Sequence, residues 1–402
     1  MKKQKHLGSR RRKDTPTRHF FSILTAGVTS STKKVFLILS SVFCVTFVVS
    51  GVFWYAMLAG VPQLEGTEAI AQNTGLSYEI ASYNSVVMGE ERTYGVCLPL
   101  GYAQNAQQRY PVIFLLHGGN GKPTDWFEKG LALSVIEQLY ATDKLPPSII
   151  ITPDGNDKRG ASPFYDPQYI DGPNGRVRTA LGDELVKVIK SRYSTLPAPR
   201  FWAIGGLSSG GWGAMNVGLH HLNSFSILFS HSGYFTDRSG AENSPIVYIK
   251  NKVPKAKRSQ LRIYLDAGEE DGKFLEQTKQ FALVLKRLKI PYVFNQFPGG
   301  HNIIGPDSLW NYWHKHLADS LTYVGKQFHQ ASLAQAAGGS TSAPHNTFLA
   351  IEPVQLASLS LANSELDIPC LPSSVFSSNL NPIFPTAIAS RQCAYLNPAD
   401  RD

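Results

Sequence analysis

The stretch "IGGLSSGGWGAM", Ile204 to Met215, sets two adjacent serines among glycines where an apolar run gives way to a helical pattern. Glycine loses more backbone freedom on folding than any other residue, so it is kept where a Cβ would clash. Gly206-Leu207-Ser208-Ser209-Gly210 fits G-x-S-x-G, a tight strand-to-helix turn that exposes a serine hydroxyl for acyl transfer. Centring the frame on Ser209 would put Leu207 at the first glycine position, so Ser208 is the candidate nucleophile. Ser209 then follows it, where its backbone N–H could bind an oxyanion. A Gly/Ser linker would have neither a strand before it nor a helix after it. Here Phe201–Ile204 reads as a short buried strand and Trp212–His220 as a helix.

A serine hydroxyl needs a base, and on this kind of turn the partners follow in the order Ser, acid, His. Among the downstream histidines, His220 and His221 end the helix after the turn. His314 and His316 fall within the final helix, and His231 precedes every plausible acid loop. His301, in the loop "FPGGHN" after the last strand, stands where the base is needed. The preceding strand ends in "YLDAGEEDG". Asp266 is still within that strand and reads as a structural hydrogen bonder. Asp271, beyond the Gly268 turn, is the expected acid, with Glu270 as the alternative. The acid holds the imidazole tautomer and stabilises imidazolium.

A second oxyanion donor should come from the loop after an earlier central strand. "FLLHGGNG" supplies that loop, with Gly119 as the expected donor. His117 reads as an orienting residue of the substrate site rather than a base. Trp126, in the same loop, is a candidate wall of the acyl pocket, with a plain core or surface tryptophan as an equal alternative.

The ordered set "LPLGY", "YPVIFLLHGG", "IIITPDGN", "IGGLSSGGWGAM", "FSHSG", "DAGEEDG" and "PGGH" resembles the Putative esterase (esterase D-like) family of α/β-hydrolases. That family includes feruloyl and acetylxylan esterases, enterochelin esterases, S-formylglutathione hydrolases and mycolyltransferases. The resemblance covers roughly residues 79–328. It implies Ser208 as nucleophile, Asp271 as acid, His301 as base, and Gly119 and Ser209 at the oxyanion positions. The residue after the nucleophile is often methionine in the family and is Ser209 here, a change that backbone donation survives.

The elements that must position these residues alternate. "RTYGVCLPL", "PVIFLLHGG", "SIIITPDGN", "SFSILFSHSG", "LRIYLDAG" and "YVFNQFPGG" read as strands. "ALSVIEQLYA", "LGDELVKVIKSRY", "FLEQTKQFALVLKRLK" and "SLWNYWHKHLADSLTYV" read as helices, with a basic loop near Pro254. Near-continuous apolar strands between helices predict an α/β fold, a mostly parallel sheet covered on both faces.

The chain has 402 residues and a net charge of +9. Residues 1–34 hold ten Lys/Arg and one Asp and so carry all of that charge, leaving a neutral body unlike a nucleic-acid groove. Residues 35–62 contain no charge and are long enough to cross a bilayer. The basic flank predicts a cytoplasmic N-terminus and an extracytoplasmic remainder. An uncleaved anchor is expected, with a cleaved signal peptide as the competitor and a buried core helix as the third reading. The expected organisation is a basic tail (1–34), a transmembrane anchor (35–62), a linker (63–78), a hydrolase domain (79–328) and a mostly irregular tail (329–402). Cys370 and Cys393 in that tail could pair outside the cytoplasm. No spacing suggests a metal site, and no cofactor is expected. The expected function is a serine carboxylic-ester hydrolase acting outside the cytoplasm on a small-molecule or polysaccharide-linked ester, with the membrane as partner through residues 35–62 and no nucleic acid. The alternatives are an acyltransferase of the mycolyltransferase type and a non-catalytic, membrane-tethered binding module.

Overall fold

The computed structural model describes residues 30–54, 74–105, 107–162, 168–302 and 305–338. Helix α1, Ser30–Trp54, is followed by a hairpin of β1 (Tyr78–Ser85) and β2 (Glu90–Cys97). Next come β3 (Val112–Leu116), a short helix α2 (Asp125–Glu128), α3 (Ala132–Ala141) and β4 (Ile149–Pro153). A two-stranded ribbon, β5 (Asp171–Gly172) and β6 (Gly175–Arg176), leads into helix α4. α4 is continuous through Val177–Thr179, a π-helical stretch Ala180–Leu185, and Val186–Arg192. Then follow β7 (Trp202–Leu207), α5 (Ser209–His220), β8 (Ile227–His231), α6 (Pro245–Asn251) and α7 (Lys255–Arg258). The domain closes with β9 (Arg262–Gly268), α8 (Lys273–Arg287), β10 (Tyr292–Phe297) and α9 (Trp310–Gly338).

The eight-stranded sheet has the order β1-β2-β4-β3-β7-β8-β9-β10. The strands from β4 to β10 are parallel, and β1 and β2 form an antiparallel edge. β3, β4, β7 and β8 are buried at every residue, as a sheet covered on both faces requires. α8 shows the matching helical logic: Leu275, Thr278, Phe281, Ala282 and Leu285 recur at three- and four-residue spacing on its buried face. The chain leaves β3 for β4 on one side and later returns to lay β7 on the other side. The carboxyl ends of β3 and β7 therefore border a topological switch point, where the connecting loops diverge and leave a crevice.

Several elements differ from the sequence reading. α9 runs through Gly338, ten residues past the expected domain end at 328, so the first part of the expected tail is helical. The basic loop read after Pro254 contains α7, and α6 lies before it in a stretch given no element; both are too short to show a periodicity. α6 does carry a local start signal, with Ser244 at its N-cap and Pro245 at its first position. All described side chains of α1, Lys34 to Phe53, are exposed, which removes the core-helix reading. With a mean hydropathy of 2.5 over those residues, α1 is long and apolar enough to be a membrane span or a signal sequence. Residues 55–62 of the expected anchor, the basic tail before Ser30, and Cys370 and Cys393 lie outside the described residues.

Candidate active site

Ser208 stands alone between β7 and α5 with φ 52° and ψ −119°, a backbone conformation that is costly for a residue with a Cβ. Two hydrogen bonds hold it there: its N–H donates to the His231 carbonyl (2.8 Å), and its carbonyl accepts from the Trp212 N–H (3.1 Å). The flanking glycines have a steric reason. A Cβ on Gly206 would lie 2.5 Å from the Leu116 carbonyl oxygen and 2.8 Å from the Gly210 backbone. A Cβ on Gly210 would strike the carbonyl oxygens of Leu116 and His117. The turn thus packs directly against the end of β3. Ser209, by contrast, is buried and opens α5, at the positive end of that helix.

The structure brings His301 and Asp271 to Ser208. His301 Nε2 lies 2.8 Å from Ser208 Oγ, and its Nδ1 lies 2.6 Å from Asp271 Oδ1. The His301 backbone N–H donates to the same Asp271 oxygen (2.7 Å). The other carboxylate oxygen accepts from the Ser232 hydroxyl and the Gly268 N–H, each at 2.6 Å. Four donors thus converge on one enclosed carboxylate. Burial pushes this carboxyl up. The hydrogen bond and charge of His301, the Ser232 hydroxyl and the His301 backbone N–H outweigh burial and hold it below the usual carboxylate range. Gly300, with φ 128°, brings the backbone so close to Asp271 that a Cβ would overlap the carboxylate. The His301 ring is stacked on Phe274 (4.2 Å, 14°) and meets the edge of Trp313 (5.3 Å). Its side chain keeps 21% exposure, so it remains open to an arriving molecule. Glu270 is exposed and takes no part.

The loop after β3 is held from behind. The Gly155 N–H donates to His117 Nε2 (3.0 Å), so the imidazole proton sits on Nδ1, which donates to the Gly118 carbonyl (2.9 Å). Gln168 Nε2 donates to the same carbonyl (3.2 Å), and the Tyr169 hydroxyl donates to the His117 carbonyl (2.7 Å). His117 is 1% exposed and held through both ring nitrogens, so it is the orienting residue expected, but it acts from behind the loop and not as a substrate-binding side chain. Trp126 takes the alternative reading rather than that of a pocket wall. It is fully buried, its indole N–H donates to the Leu116 carbonyl (2.9 Å), and it packs against Trp310, so it is a core residue.

Sequence reasoning missed Ser232 and Gln168 as parts of this site. Ser232 lies in "FSHSG", a stretch that carried family resemblance but no assigned role. Gln168 had no local signal at all. Beneath the site lies a second Ser–His–Asp array. His231 Nε2 is 2.9 Å from Ser320 Oγ. His231 Nδ1 is 2.7 Å from Asp266 Oδ2, a close polar contact whose angle falls short of hydrogen-bond alignment. The Tyr312 hydroxyl donates to Asp266 Oδ1 (3.0 Å). Burial and the neighbouring Asp266 push that hydroxyl up, so it stays a donor. All four side chains are closed off from solvent, so this array is a brace. Its backbone carbonyls support the open site: that of His231 accepts the Ser208 N–H, and that of Asp266 accepts the Ser232 N–H (2.8 Å each). Among the described residues no group of three or more His, Cys, Asp or Glu could hold a metal ion.

A sequence model of the family described as Putative esterase matches residues 85–324. A Xylanibacter ruminicola protein named endo-1,4-beta-xylanase/feruloyl esterase is 29% identical over 190 residues, covering 46% of this chain and 23% of that protein. An acetyl esterase of Caldicellulosiruptor saccharolyticus is 24% identical over 244 residues, covering 54% of this chain and 83% of that protein. The chain spans only 36% and 23% of the length of two larger curated relatives. Among solved structures, one of a ferulic acid esterase matches with a TM-score of 0.57 and 28% identity, covering 64% of this chain and 100% of that one.

Proposed function

This chain belongs to the Putative esterase family, and on that premise we propose that it is a serine carboxylic-ester hydrolase with Ser208 as nucleophile, His301 as base and Asp271 as acid. The observation that carries the reading is the His301 imidazole bridging Ser208 Oγ and the Asp271 carboxylate. Ser208 Oγ attacks the acyl carbon as its proton passes to His301 Nε2, and the Asp271 carboxylate stabilises the imidazolium. The carbonyl oxygen of the ester becomes an oxyanion, met by the backbone N–H groups of Gly119 and Ser209. His117 and Gln168 support the first of these donors. They hold the Gly118 carbonyl, and in a trans peptide the Gly119 N–H points the opposite way. Collapse returns the proton from His301 to the leaving alcohol and leaves an acyl group on Ser208. A water molecule, deprotonated by His301, then releases the acid.

Relatives named for feruloyl and acetyl esters motivate hydroxycinnamoyl and acetyl esters as first substrates. The basic tail, 1–34, stays in the cytoplasm, and the apolar segment, 35–62, anchors the chain. The linker (63–78), the hydrolase domain (79–328) and the remaining tail (329–402) then lie outside. The test is covalent labelling of the full chain by a fluorophosphonate, located by mass spectrometry, with hydrolysis of methyl ferulate and p-nitrophenyl acetate measured in parallel. Labelling at Ser208 and turnover of either ester are expected, and both should vanish in Ser208→Ala. A folded chain that takes no label would revive the non-catalytic binding module.

A further inference from the structure

The triad residues all sit at the carboxyl ends of strands β7, β9 and β10. The opposite edge of the same strands has a different character. From Pro245 to Ile263 the sequence contains six Lys/Arg and no Asp or Glu. This segment forms α6, α7 and the approach to β9. Three of its cations brace it. Arg258 donates to the carbonyls of Val253 (2.9 Å) and Lys250 (2.8 Å), and Arg262 to those of Ser259 (2.9 Å) and Leu261 (2.8 Å). Lys257 Nζ donates to Asn223 Oδ1 (3.0 Å), beside the start of β8.

The braced segment presents Lys250, Lys252 and Lys255 to solvent, and none of the three forms an ion pair among the described residues. Lys289 joins them on the adjoining loop, because the Ile263 N–H donates to the Pro291 carbonyl and ties the starts of β9 and β10 together. Helix dipoles do not account for this patch. Lys250 closes α6 favourably, but Lys255 opens α7, where a cation is disfavoured. Lysines without ion-pair partners among the described residues repel one another in the isolated domain, and an anionic surface relieves that repulsion.

We propose that this basic edge docks on the anionic headgroups of the membrane that the chain's own helix α1 spans, so that the catalytic edge faces away from the bilayer. The proposal rests on reading α1 as an uncleaved span. Its occupant follows from charge complementarity and from that anchor, which holds the domain near one bilayer and makes even weak contacts effective. Against a leaflet rich in anionic lipid, each seated lysine strengthens attachment by about fivefold, so the four exposed lysines together supply several hundredfold, on the order of 10²–10³. The functional consequence is that the esters reaching Ser208 are borne by soluble or polymeric molecules on the far side, not by lipids of the bilayer itself.

The full chain would be reconstituted into nanodiscs of phosphatidylcholine alone or with about a third phosphatidylglycerol. Lysine reactivity toward an amine-acylating reagent would then be mapped by mass spectrometry. Lys250, Lys252, Lys255 and Lys289 should be shielded roughly tenfold or more in the anionic discs at low salt. Shielding should disappear at high salt, as expected for exposed charges. Lys273, at the catalytic edge, should react equally in both discs. In the triple variant Lys250→Gln, Lys252→Gln, Lys255→Gln, Lys289 should lose its shielding while hydrolysis of a soluble ester is unchanged. Equal reactivity of all four lysines in the two discs overturns the docking and leaves the anchor standing. Shielding in neutral discs by added soluble polyphosphate, with none from phosphatidylglycerol, overturns it in favour of a soluble polyanion. Failure of the chain to enter either disc overturns the anchor and the docking together.

Discussion

Replacing Asp271 by asparagine tests the acid assignment most sharply, because all four hydrogen bonds on its carboxylate are donated to it. An amide offers one acceptor oxygen and one NH2. With the NH2 in place of Oδ1, it opposes the His301 backbone N–H and forces the imidazole proton onto Nε2, where it can no longer take a proton from Ser208. With the NH2 in place of Oδ2, it opposes the Gly268 N–H, and only the Ser232 hydroxyl can rotate to suit. Either orientation leaves a buried donor facing a donor, which costs about 1–3 kcal/mol of stability. The catalytic loss is larger. An amide that either sets the wrong tautomer or, with its oxygen toward Nδ1, brings no charge to stabilise imidazolium should lower kcat by about 10⁴-fold, or roughly 5.5 kcal/mol of barrier.

The same substitution has a pH signature. The Asp271 carboxyl is held below its usual range in the folded state, so it contributes stability that is full above the unfolded carboxylate pKa. That contribution is lost as the pH falls through the folded value. Urea unfolding followed by circular dichroism from pH 7 downward should therefore show a smaller acid-induced loss in Asp271→Asn than in the parent. Kinetics on p-nitrophenyl acetate, corrected for the folded fraction, give the catalytic term. A variant within about tenfold of parent kcat, with Glu270→Gln strongly impaired instead, would refute the reasoning.

Ser209→Ala should keep turnover within a few-fold of the parent, measured as kcat/KM, because the proposed role of this residue uses only its backbone N–H. Ser232→Ala removes one hydrogen bond to a buried charge, worth about 1.5–3 kcal/mol. Its kcat should fall at least about tenfold at unchanged KM, and the acid limb of the pH–rate profile should shift upward. Gly206→Ala forces a Cβ against the Leu116 carbonyl and the Gly210 backbone. Thermal melts should show a loss of about 1–3 kcal/mol, and fluorophosphonate labelling of the remaining folded protein should be strongly slowed. In intact cells, external protease should remove the catalytic domain and leave a membrane-bound basic stub. A domain protected until lysis would reverse the orientation, and one free in the medium would favour a cleaved signal peptide.

The parts of this protein legible in the sequence are those in which neighbours along the chain settle the geometry. The turn around Ser208 is one, because a strand, two obligatory small residues and a helix must follow one another within a few positions. The buried parallel strands are another, because an apolar run without alternation has nowhere to go but a sheet covered on both faces. The charge-free run in α1 is a third. The order of serine, acid and histidine narrowed the site further, and Asp271 and His301 do meet Ser208, although His301 lies 93 residues away.

What the tertiary structure decided depends on register and on enclosure. His231 and Asp266 face each other only because β8 and β9 pair at those two positions, and Ser320 reaches them only because α9 returns across the same strands. Chain order set His231 and Asp266 apart from the first set, but nothing in the sequence pointed to Ser320, and it is burial that makes the three a brace rather than an open site. The sequence left open whether Trp126 was core or pocket wall, since a tryptophan in a loop carries no mark of which way it turns. The hydrogen bond from its indole to Leu116 shows that it turns inward. Ser232 and Gln168 stayed invisible for a related reason. A hydroxyl or an amide acquires a role only from the atom brought within hydrogen-bonding distance of it, and that atom comes from a distant part of the chain.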